Sequence, residues 1–389
     1  MYPLVLKFNS YYLAPEELNK IFDYFKTRGY KIAGPTVKDN AIVYDEIESV
    51  NDLPLGWTDE QGPGSYRLKR RNDEALFGYV VGPHSWKKFL FPPILTLWEA
   101  KRENGKFKIY EQNYSEEKFV FVGVRACEIS AILIQDKIFG GGQYVDPNYL
   151  RRRENAFIIA VNCNEPGNNC FCLSTGTGPK VLTGYDIVLT EVISESGHYL
   201  IAKPGSDLGE EILASLGFRE ATTQEIDEAD KVSNEAVNKF RKEVDLSDVV
   251  EMLQSNYENP LWEKVSEKCL TCANCTMVCP TCFCHTVEDV TDLTGQSAKR
   301  VRKWDSCFTL EFSYIHGGSV RYSTASRYRQ WMTHKLSTWK NQFGMIGCVG
   351  CGRCITWCPV GIDIVENVKL FKESELKLKT GESYGRGNT

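Results

Sequence analysis

The amino-acid sequence predicts an α+β protein, in which a mixed α/β region over residues 1–240 is followed by a mainly helical domain over residues 241–389. Apolar, β-branched runs at 119–123 and 156–161, each bounded by polar residues, predict buried strands in the first region. The segment between these runs contains a helical stretch, so the two strands are expected to be parallel. In the second region, helical patterns surround two cysteine-rich runs.

Local patterns predict the remaining elements. An amphipathic helix is expected over 15–30, where apolar residues recur at helical spacing. The boundary between the two regions is placed near 240–262, after an acidic stretch. The other predicted elements are a strand over 187–192, a polar, turn-rich stretch over 50–66, helices near 128–138, 224–240, 246–257 and 363–378, and a frayed tail after Thr380.

Composition and charge exclude several classes of protein. The 389 residues suffice for two or three domains, and 42% hydrophobic with 25% charged residues is ordinary for a soluble chain. No run of about 18 apolar residues predicts a membrane span, and the N-terminus lacks a signal-peptide pattern. Fifteen cysteines without an export signal indicate a cytoplasmic location and metal ligation rather than disulfides. The net charge of −5 argues against nucleic acid as the main partner.

Two cysteine runs carry the strongest chemical signal. The runs that begin at Cys269 and Cys348 both have the spacing C-x2-C-x2-C-x3-C-P. This spacing is typical of paired [4Fe–4S] clusters, in which the fourth cysteine of one run binds the other cluster. Zinc sites usually have two well-separated C-x2-C pairs, so zinc and a disulfide framework are weaker alternatives. The predicted ligands are Cys269, Cys272, Cys275 and Cys358 for the first cluster, and Cys348, Cys351, Cys354 and Cys279 for the second.

Four further cysteines lie near the ends of the two predicted parallel strands. Cys127 follows the first strand, Cys163 follows the second, and Cys170 and Cys172 lie in the polar loop beyond it. Because the carboxyl ends of neighbouring parallel strands meet at one edge of a sheet, these four cysteines are candidates for a third [4Fe–4S] cluster. The alternative is that they are free cysteines without a ligand role.

The last three cysteines, Cys282, Cys284 and Cys307, form a possible additional metal site. Three thiolates are one short of closing a cubane, which His285 or another cysteine would have to complete. The favoured interpretation is that the three thiols pack and form hydrogen bonds beside the first cluster. In the alternative, an open iron acts on a thiol, disulfide or sulfur substrate, and the chain is itself catalytic.

The insert between the runs, residues 291–340, is basic, with nine Lys/Arg against three Asp/Glu. Either these charges form a solvated face, or they raise the cluster potentials and dock an acidic protein partner. Interleaved Trp304, Tyr328 and Trp331 leave nucleic acid as a weaker alternative. The cations considered are Arg300, Arg302, Lys303, Arg321, Arg327, Arg329 and Lys335.

Other sequence features indicate no catalytic residue. Gly140–Gly142 lacks the spacing of a dinucleotide fingerprint and predicts a turn, and there is no Walker loop. The five histidines are scattered, and each is expected to be structural or exposed.

Longer motifs relate the chain to a known family. They are Gly123-Val-Arg-Ala-Cys-Glu, Arg152-Arg-Glu-Asn with Cys163 and Cys170-Phe-Cys172, Trp262-Glu-Lys, Cys279-Pro-Thr-Cys-Phe-Cys284, Trp304-Asp-Ser-Cys307 and the run from Cys348. With these motifs the chain resembles the iron–sulfur beta subunits of cytoplasmic NAD(P)-linked [NiFe] hydrogenases, including the sulfhydrogenases. The electron-input component of anaerobic sulfite reductases belongs to the same broad family.

The resemblance implies a protein without its own substrate site, which works as part of a complex. In such complexes a large subunit holds the nickel–iron centre, a small subunit carries further clusters, and a flavin-containing subunit exchanges hydride with NAD(P)H. We therefore predict an electron-transfer subunit with at least two [4Fe–4S] clusters, which relays electrons between the hydrogenase module and the flavin subunit. The alternative partner is an anaerobic sulfite reductase.

Overall fold

The computed structural model describes residues 9–111 and 116–380, and the tail predicted to be frayed lies outside them. The strands are β1 (Tyr11–Leu13), β2 (Tyr30–Lys38), β3 (Ala41–Glu46), β4 (Trp57–Gly62), β5 (Ser65–Arg70), β6 (Ile94–Glu103), β7 (Lys106–Glu111), β8 (Lys118–Val124), β9 (Ala156–Val161), β10 (Ile187–Ser194), β11 (Gly197–Pro204), β12 (His285–Thr291), β13 (Ser297–Trp304), β14 (Tyr314–Ile315) and β15 (Gly318–Ser319).

The helices of the same residues fall between and after these strands. They are α1 (Leu18–Lys26), α2 (Lys87–Leu90), α3 (Ala126–Gly140), α4 (Pro147–Glu154), α5 (Asp207–Ser215), α6 (Thr223–Glu235), α7 (Val249–Ser255), α8 (Leu261–Ser266), α9 (Asn274–Met277), α10 (Thr324–Thr333), α11 (Trp339–Phe343), α12 (Arg353–Thr356) and α13 (Ile364–Thr380). No helix in the described part of the chain combines the length and apolar composition needed to cross a membrane.

A seven-stranded mixed sheet forms the core of the N-terminal part, in the order β1-β11-β10-β9-β8-β2-β3. The inner strands β10, β9, β8 and β2 are parallel, and the outer pairs are antiparallel. The predicted parallel pairing of 119–123 with 156–161 is confirmed, with Phe121 beside Ile158. Both strands are buried along most of their length, as expected of parallel strands in the centre of a sheet.

The predicted helices are found, with shifted ends. The helix expected over 15–30 begins with a 3-10 turn at Pro15–Glu17 and ends at Lys26, because Gly29 adopts a left-handed φ of 79° that directs the chain into β2. The Gly140–Gly142 segment forms the end of α3 and the bend after it. The helices predicted near 128–138, 224–240, 246–257 and 363–378 correspond to α3, α6, α7 and α13.

The stretch predicted to be turn-rich over 50–66 is more regular than expected. Strands β4 and β5 form an antiparallel hairpin with its turn at 63–64. Gly64 has a left-handed φ of 75°, and its backbone N–H donates to the carbonyl oxygen of Ile355 over 3.0 Å. A Cβ on Gly64 would lie 2.9 Å from the carbonyl oxygen of Cys358. The hairpin turn therefore lies directly against the second cysteine run.

A second sheet joins the two halves of the sequence. Its order is β12-β13-β6-β7, and all its pairs are antiparallel. The mainly helical prediction for residues 241–389 does not hold at 285–304, where β12 and β13 form this hairpin. Almost every residue of β12 is exposed. Its sequence, His-Thr-Val-Glu-Asp-Val-Thr, does not show the strict alternation of apolar and polar residues that predicts a half-buried strand.

A separate apolar core lies behind the cysteine runs and is built from α7, α8, α10 and α13. The rings of Trp262 and Phe371 lie 4.2 Å apart, and the indole N–H of Trp262 donates to the carbonyl oxygen of Asn256 over 2.7 Å. Cys307 and Cys348 are part of the same core. The helices thus hold the cysteine-bearing loops against a rigid apolar surface.

Candidate metal centres

The two cysteine runs have the same local backbone. The second and fourth residues after the first cysteine adopt left-handed φ values in both runs: 51° and 66° at Thr271 and Ala273, and 62° and 73° at Gly350 and Gly352. A short helix, α9 or α12, follows immediately. These left-handed residues curl the chain tightly, so the first three cysteines of each run line a common cavity.

The first cavity has a volume of about 420 Å³ and opens toward the surface, since Cys272 is exposed. Phe308, Tyr328 and Trp331 form an aromatic wall on its inner side. The backbone N–H of Ile362 donates to the Sγ of Cys358 over 3.3 Å. The cysteines around this cavity are Cys269, Cys272, Cys275, Cys354 and Cys358.

The second cavity has a volume of about 300 Å³ and lies in the interior. Phe171 and Thr281 line it together with the buried Lys335, which is only 3% exposed. Its cysteines are Cys279, Cys348, Cys351 and Cys354. Cys358, the fourth cysteine of the second run, lines the first cavity, and Cys279, the fourth cysteine of the first run, lines the second.

The third cavity, of about 450 Å³, lies at the carboxyl ends of β8 and β9. The loop after β9 packs closely on the second run, because the backbone N–H of Phe171 donates to the carbonyl oxygen of Gly350 over 2.8 Å. A Cβ on Gly350 would lie 2.6 Å from the Cα of Cys172. The cysteines around this cavity are Cys127, Cys163, Cys170, Cys172 and Cys351.

Three buried charged side chains line the third cavity, and the sequence analysis missed all three. Arg353 forms an ion pair with Glu128, and both side chains are at most 5% exposed. Arg125 donates to the carbonyl oxygens of Phe77 and Tyr79 over 2.6 and 2.8 Å. Each of the three is within two residues of a cysteine in a motif, and that proximity is the signal that could have revealed them.

The three cavities form a continuous series. Cys354 lines both the first and the second cavity, and Cys351 lines both the second and the third. The second cysteine run therefore lies between all three, with its first and last cysteines facing different cavities. One segment of eleven residues, 348–358, organises the whole arrangement.

Burial governs the ionisation of the thiols. Loss of solvent raises the pKa of Cys348 to about 11, and it raises the pKa of Cys127 and Cys275 well above the usual value. Two thiols depart from this trend. A hydrogen bond with Cys282 and the nearby ammonium of Lys335 hold the pKa of Cys279 well below its usual value, and a hydrogen bond with Cys307 lowers the pKa of Cys284. Iron binds thiolates, so occupation of these cavities releases protons from the buried thiols.

The remaining three cysteines do not form one group, because one of them pairs with a cysteine of the first run and the other two pair with each other. Cys282 is within hydrogen-bond reach of Cys279, and Cys284 is within reach of Cys307. Lys87, which is buried, donates to the carbonyl oxygen of Cys282 over 3.1 Å. Within residues 9–111 and 116–380, no three His, Cys, Asp or Glu side chains stand close enough to hold a single metal ion.

The basic insert is partly neutralised by acidic neighbours. Five of its cations form ion pairs, which are Lys299–Glu99, Arg300–Asp289, Arg302–Asp146, Lys303–Glu288 and Arg329–Glu258. Two others are buried near the cavities: Arg327 donates to the carbonyl oxygen of Phe308 over 2.8 Å, and Lys335 lines the second cavity. The insert therefore carries cations that are paired with acidic side chains, and it also places two positive charges in the interior near the cavities.

The residues around the cavities suit iron–sulfur clusters. Each cavity is enclosed by at least four cysteines, and thiolates are the usual ligands of [4Fe–4S] clusters. The cysteines line the cavity walls without converging on one point, since among the described residues no three His, Cys, Asp or Glu side chains stand close enough to hold a single ion.

Comparison with known proteins agrees with this chemistry. Residues 268–362 match the family model of the 4Fe-4S dicluster domain, so the chain is a mixed α/β iron–sulfur protein with a C-terminal dicluster domain. Sulfhydrogenase 2 subunit beta of Pyrococcus furiosus is 31% identical over 371 residues, which cover 93% of this chain and 97% of that protein. The chain belongs to the family of sulfhydrogenase beta subunits. No solved structure matches it.

Proposed function

We propose that this chain is the electron-transfer subunit of a cytoplasmic redox complex and relays electrons between a flavin subunit that uses NAD(P)H and a [NiFe] hydrogenase module. Two [4Fe–4S] clusters belong to a ferredoxin-like domain within residues 241–389, and a third belongs to the region 1–240. The first cluster is held by Cys269, Cys272, Cys275 and Cys358, the second by Cys348, Cys351, Cys354 and Cys279, and the third by Cys127, Cys163, Cys170 and Cys172.

The single observation that carries this proposal is the series of three cysteine-lined cavities. Neighbouring cavities share a cysteine, Cys354 or Cys351, so centres held in them are separated by little more than one side chain. A relay needs this arrangement, because electrons then move in short steps through the interior. When bound, each cluster supplies a one-electron step at a potential within about −700 to +450 mV.

The residues around the first cavity exclude water on its inner side and leave its outer side open to solvent. Phe308, Tyr328 and Trp331 keep water from the inner side of the first cavity, while Cys272 is exposed on its outer side. Leu270, which lines the same cavity, is 62% exposed. We assign this rim as the point where one partner subunit exchanges electrons with the chain.

The hydrogenase assignment rests on the relative, whose name describes a beta subunit of a sulfhydrogenase. That name supports a complex of several subunits, and the large, small and flavin subunits are the partners that the family resemblance implies. Cys282, Cys284 and Cys307 have no separate chemical function in this proposal. Their pairing favours packing over an open three-thiolate site.

The test is anaerobic purification of the native complex, with iron, sulfide and nickel counted. Three clusters require about twelve irons per chain, and two require about eight. A co-purifying nickel protein and a flavoprotein support the hydrogenase assignment. A nickel-free complex that reduces sulfite would overturn that assignment and leave the relay standing.

Alanine variants test the cavity assignments one at a time. Cys272→Ala and Cys170→Ala should each lose about four irons, because each removes a ligand of one cubane. Cys307→Ala is the matched control and should keep the iron content of the wild type. Full iron content and undiminished partner reduction in Cys272→Ala would contradict the relay.

A further inference from the structure

Lys335 is a buried cation in direct contact with a cysteine of the second cavity. Its Nζ lies 3.1 Å from the Sγ of Cys279, 3.3 Å from the Oγ1 of Thr281 and 3.2 Å from the carbonyl oxygen of Gly347. All three can accept a hydrogen bond, and an ammonium has three protons to donate. The side chain is 3% exposed, so water does not compete for these contacts.

The local backbone holds this lysine in place. Lys335 lies in a π-helical segment, His334–Thr338, between α10 and α11. Such widened turns are uncommon and often occur at functional sites. Its backbone oxygen accepts a hydrogen bond from the N–H of Gly347 over 2.7 Å, just before the second run begins. Both the backbone and the side chain of Lys335 are thus tied to the residues that enclose the second cavity.

The corresponding cysteine at the first cavity has a weaker donor. Cys358 receives a hydrogen bond from the uncharged backbone N–H of Ile362 over 3.3 Å. Cys279 receives one from a charged ammonium over 3.1 Å. Hydrogen bonds to the sulfurs and nearby charge are among the factors that set the potential of a cluster. The two fourth cysteines, equivalent in sequence, therefore differ in electrostatic environment.

We propose that Lys335 is a positioning residue that raises the reduction potential of the second cluster above the value its four thiolates alone would give. A positive charge at the ligand sulfur favours the reduced cluster, which carries one more negative charge. The second cluster then holds an electron more readily than it would without Lys335. The proposal rests on the proposed function, because it requires a cluster in the second cavity.

The test is a potentiometric titration, followed by electron paramagnetic resonance, of Lys335→Met in the holoprotein. A hydrogen bond from a charged donor is worth about tenfold or more in an equilibrium constant, which is about 59 mV for one electron. We expect one cluster to shift by at least this amount to more negative potential, with the others nearly unchanged. Lys335→Gln, which keeps a donor without the charge, should shift the same cluster by less.

Lys340→Met is the matched control, because Lys340 is exposed on the adjacent helix α11 and its charge is screened by solvent. Its titration should match the wild type. A fully loaded Lys335→Met protein with unchanged potentials, or one whose clusters all shift equally, would overturn the proposal. The iron content of the wild-type protein tests whether the clusters are present. A failure of the proposed function would therefore be seen as missing iron, whereas a failure of the role of Lys335 would be seen as unchanged potentials.

A measurement on the wild type covers the case in which the variants do not load iron. Protein labelled with ¹⁵N at the lysine ε-amino group is reduced and studied by pulsed electron paramagnetic resonance. A ¹⁵N coupling on one cluster signal is expected from the contact between Lys335 and Cys279. Absence of that coupling from every cluster signal refutes the proposal.

Discussion

At the scale of the residue, the interior of this protein contains charges that compensate one another beside the cysteine-lined cavities. Arg353 and Glu128 are buried together at the third cavity. Lys335 is buried beside the thiol of Cys279. Charges in an apolar interior persist only when they are paired, so each of these groups depends on its partner.

The ion pair at the third cavity leads to a prediction about stability. Arg353→Met should destabilise the protein by about 3–5 kcal/mol, because it leaves the carboxylate of Glu128 buried and uncompensated. Arg353→Met combined with Glu128→Leu should recover much of this loss, since no buried charge remains. Denaturant unfolding of the three proteins measures the difference.

The exposed pair Arg300–Asp289 supplies the comparison, since both side chains are more than 40% exposed. Arg300→Met should cost less than about 1 kcal/mol. If the double variant at Arg353 and Glu128 were as unstable as Arg353→Met alone, the loss would reflect packing and the electrostatic explanation would be wrong.

At the scale of the element, the second cysteine run depends on two left-handed glycines in close contact with the loop after β9. Gly350 and Gly352 correspond to Thr271 and Ala273 in the first run, where side chains are accommodated at the same backbone angles. The difference lies in the neighbours, because a Cβ at Gly352 would lie 2.4 Å from the carbonyl oxygen of Asn169. Close approach of two backbones, more than φ alone, requires glycine here.

Substitution of Gly350 tests this explanation. Gly350→Ala should lower both the melting temperature and the iron content, because the new Cβ would displace the backbone at Cys172. Gly295→Ala is the control: Gly295 also has a left-handed φ, 64°, but a Cβ there meets nothing within 4 Å. The Gly295→Ala protein should lose only about 1–2 kcal/mol of its free energy of unfolding, which is the backbone cost of a left-handed alanine, and it should keep its iron. Equal iron loss in both variants would contradict this account.

At the scale of the whole molecule, the two halves of the sequence contact each other at several points, which include a shared sheet and a shared cavity. Strand β13 from the insert pairs with β6 from the N-terminal part. The third cavity takes Cys351 and Arg353 from the second run and its other cysteines from the ends of β8 and β9 and the loop beyond. Neither the second sheet nor the third cavity can form from one half alone.

This interlocking predicts cooperative unfolding. The iron-loaded protein should show one calorimetric transition, because opening either half breaks the shared sheet and exposes the third cavity. Differential scanning calorimetry under anaerobic conditions provides the measurement. Two well-separated transitions, with iron released in only one of them, would show that the halves are independent.

The sequence alone determined the features that follow from local pattern and from the spacing of one residue type. The strands at 119–123 and 156–161, their parallel pairing and helix α3 were predicted because apolar, β-branched runs and helical spacing are local signals. The repeated spacing of the eight cysteines in the two runs is typical of paired [4Fe–4S] clusters, and their division between two clusters stays a prediction. The ends of β8 and β9 could likewise be expected to meet.

Only the tertiary structure decided what surrounds these cysteines and how the cavities connect. The pairing of β13 with β6 joins segments about two hundred residues apart, so no local pattern could predict it. The sharing of Cys351 and Cys354 between neighbouring cavities, and the burial of Lys335 and Arg353, depend on contacts between distant segments. Spacing along a chain specifies which thiols can act together, whereas the charge around them is set by how the chain folds back on itself.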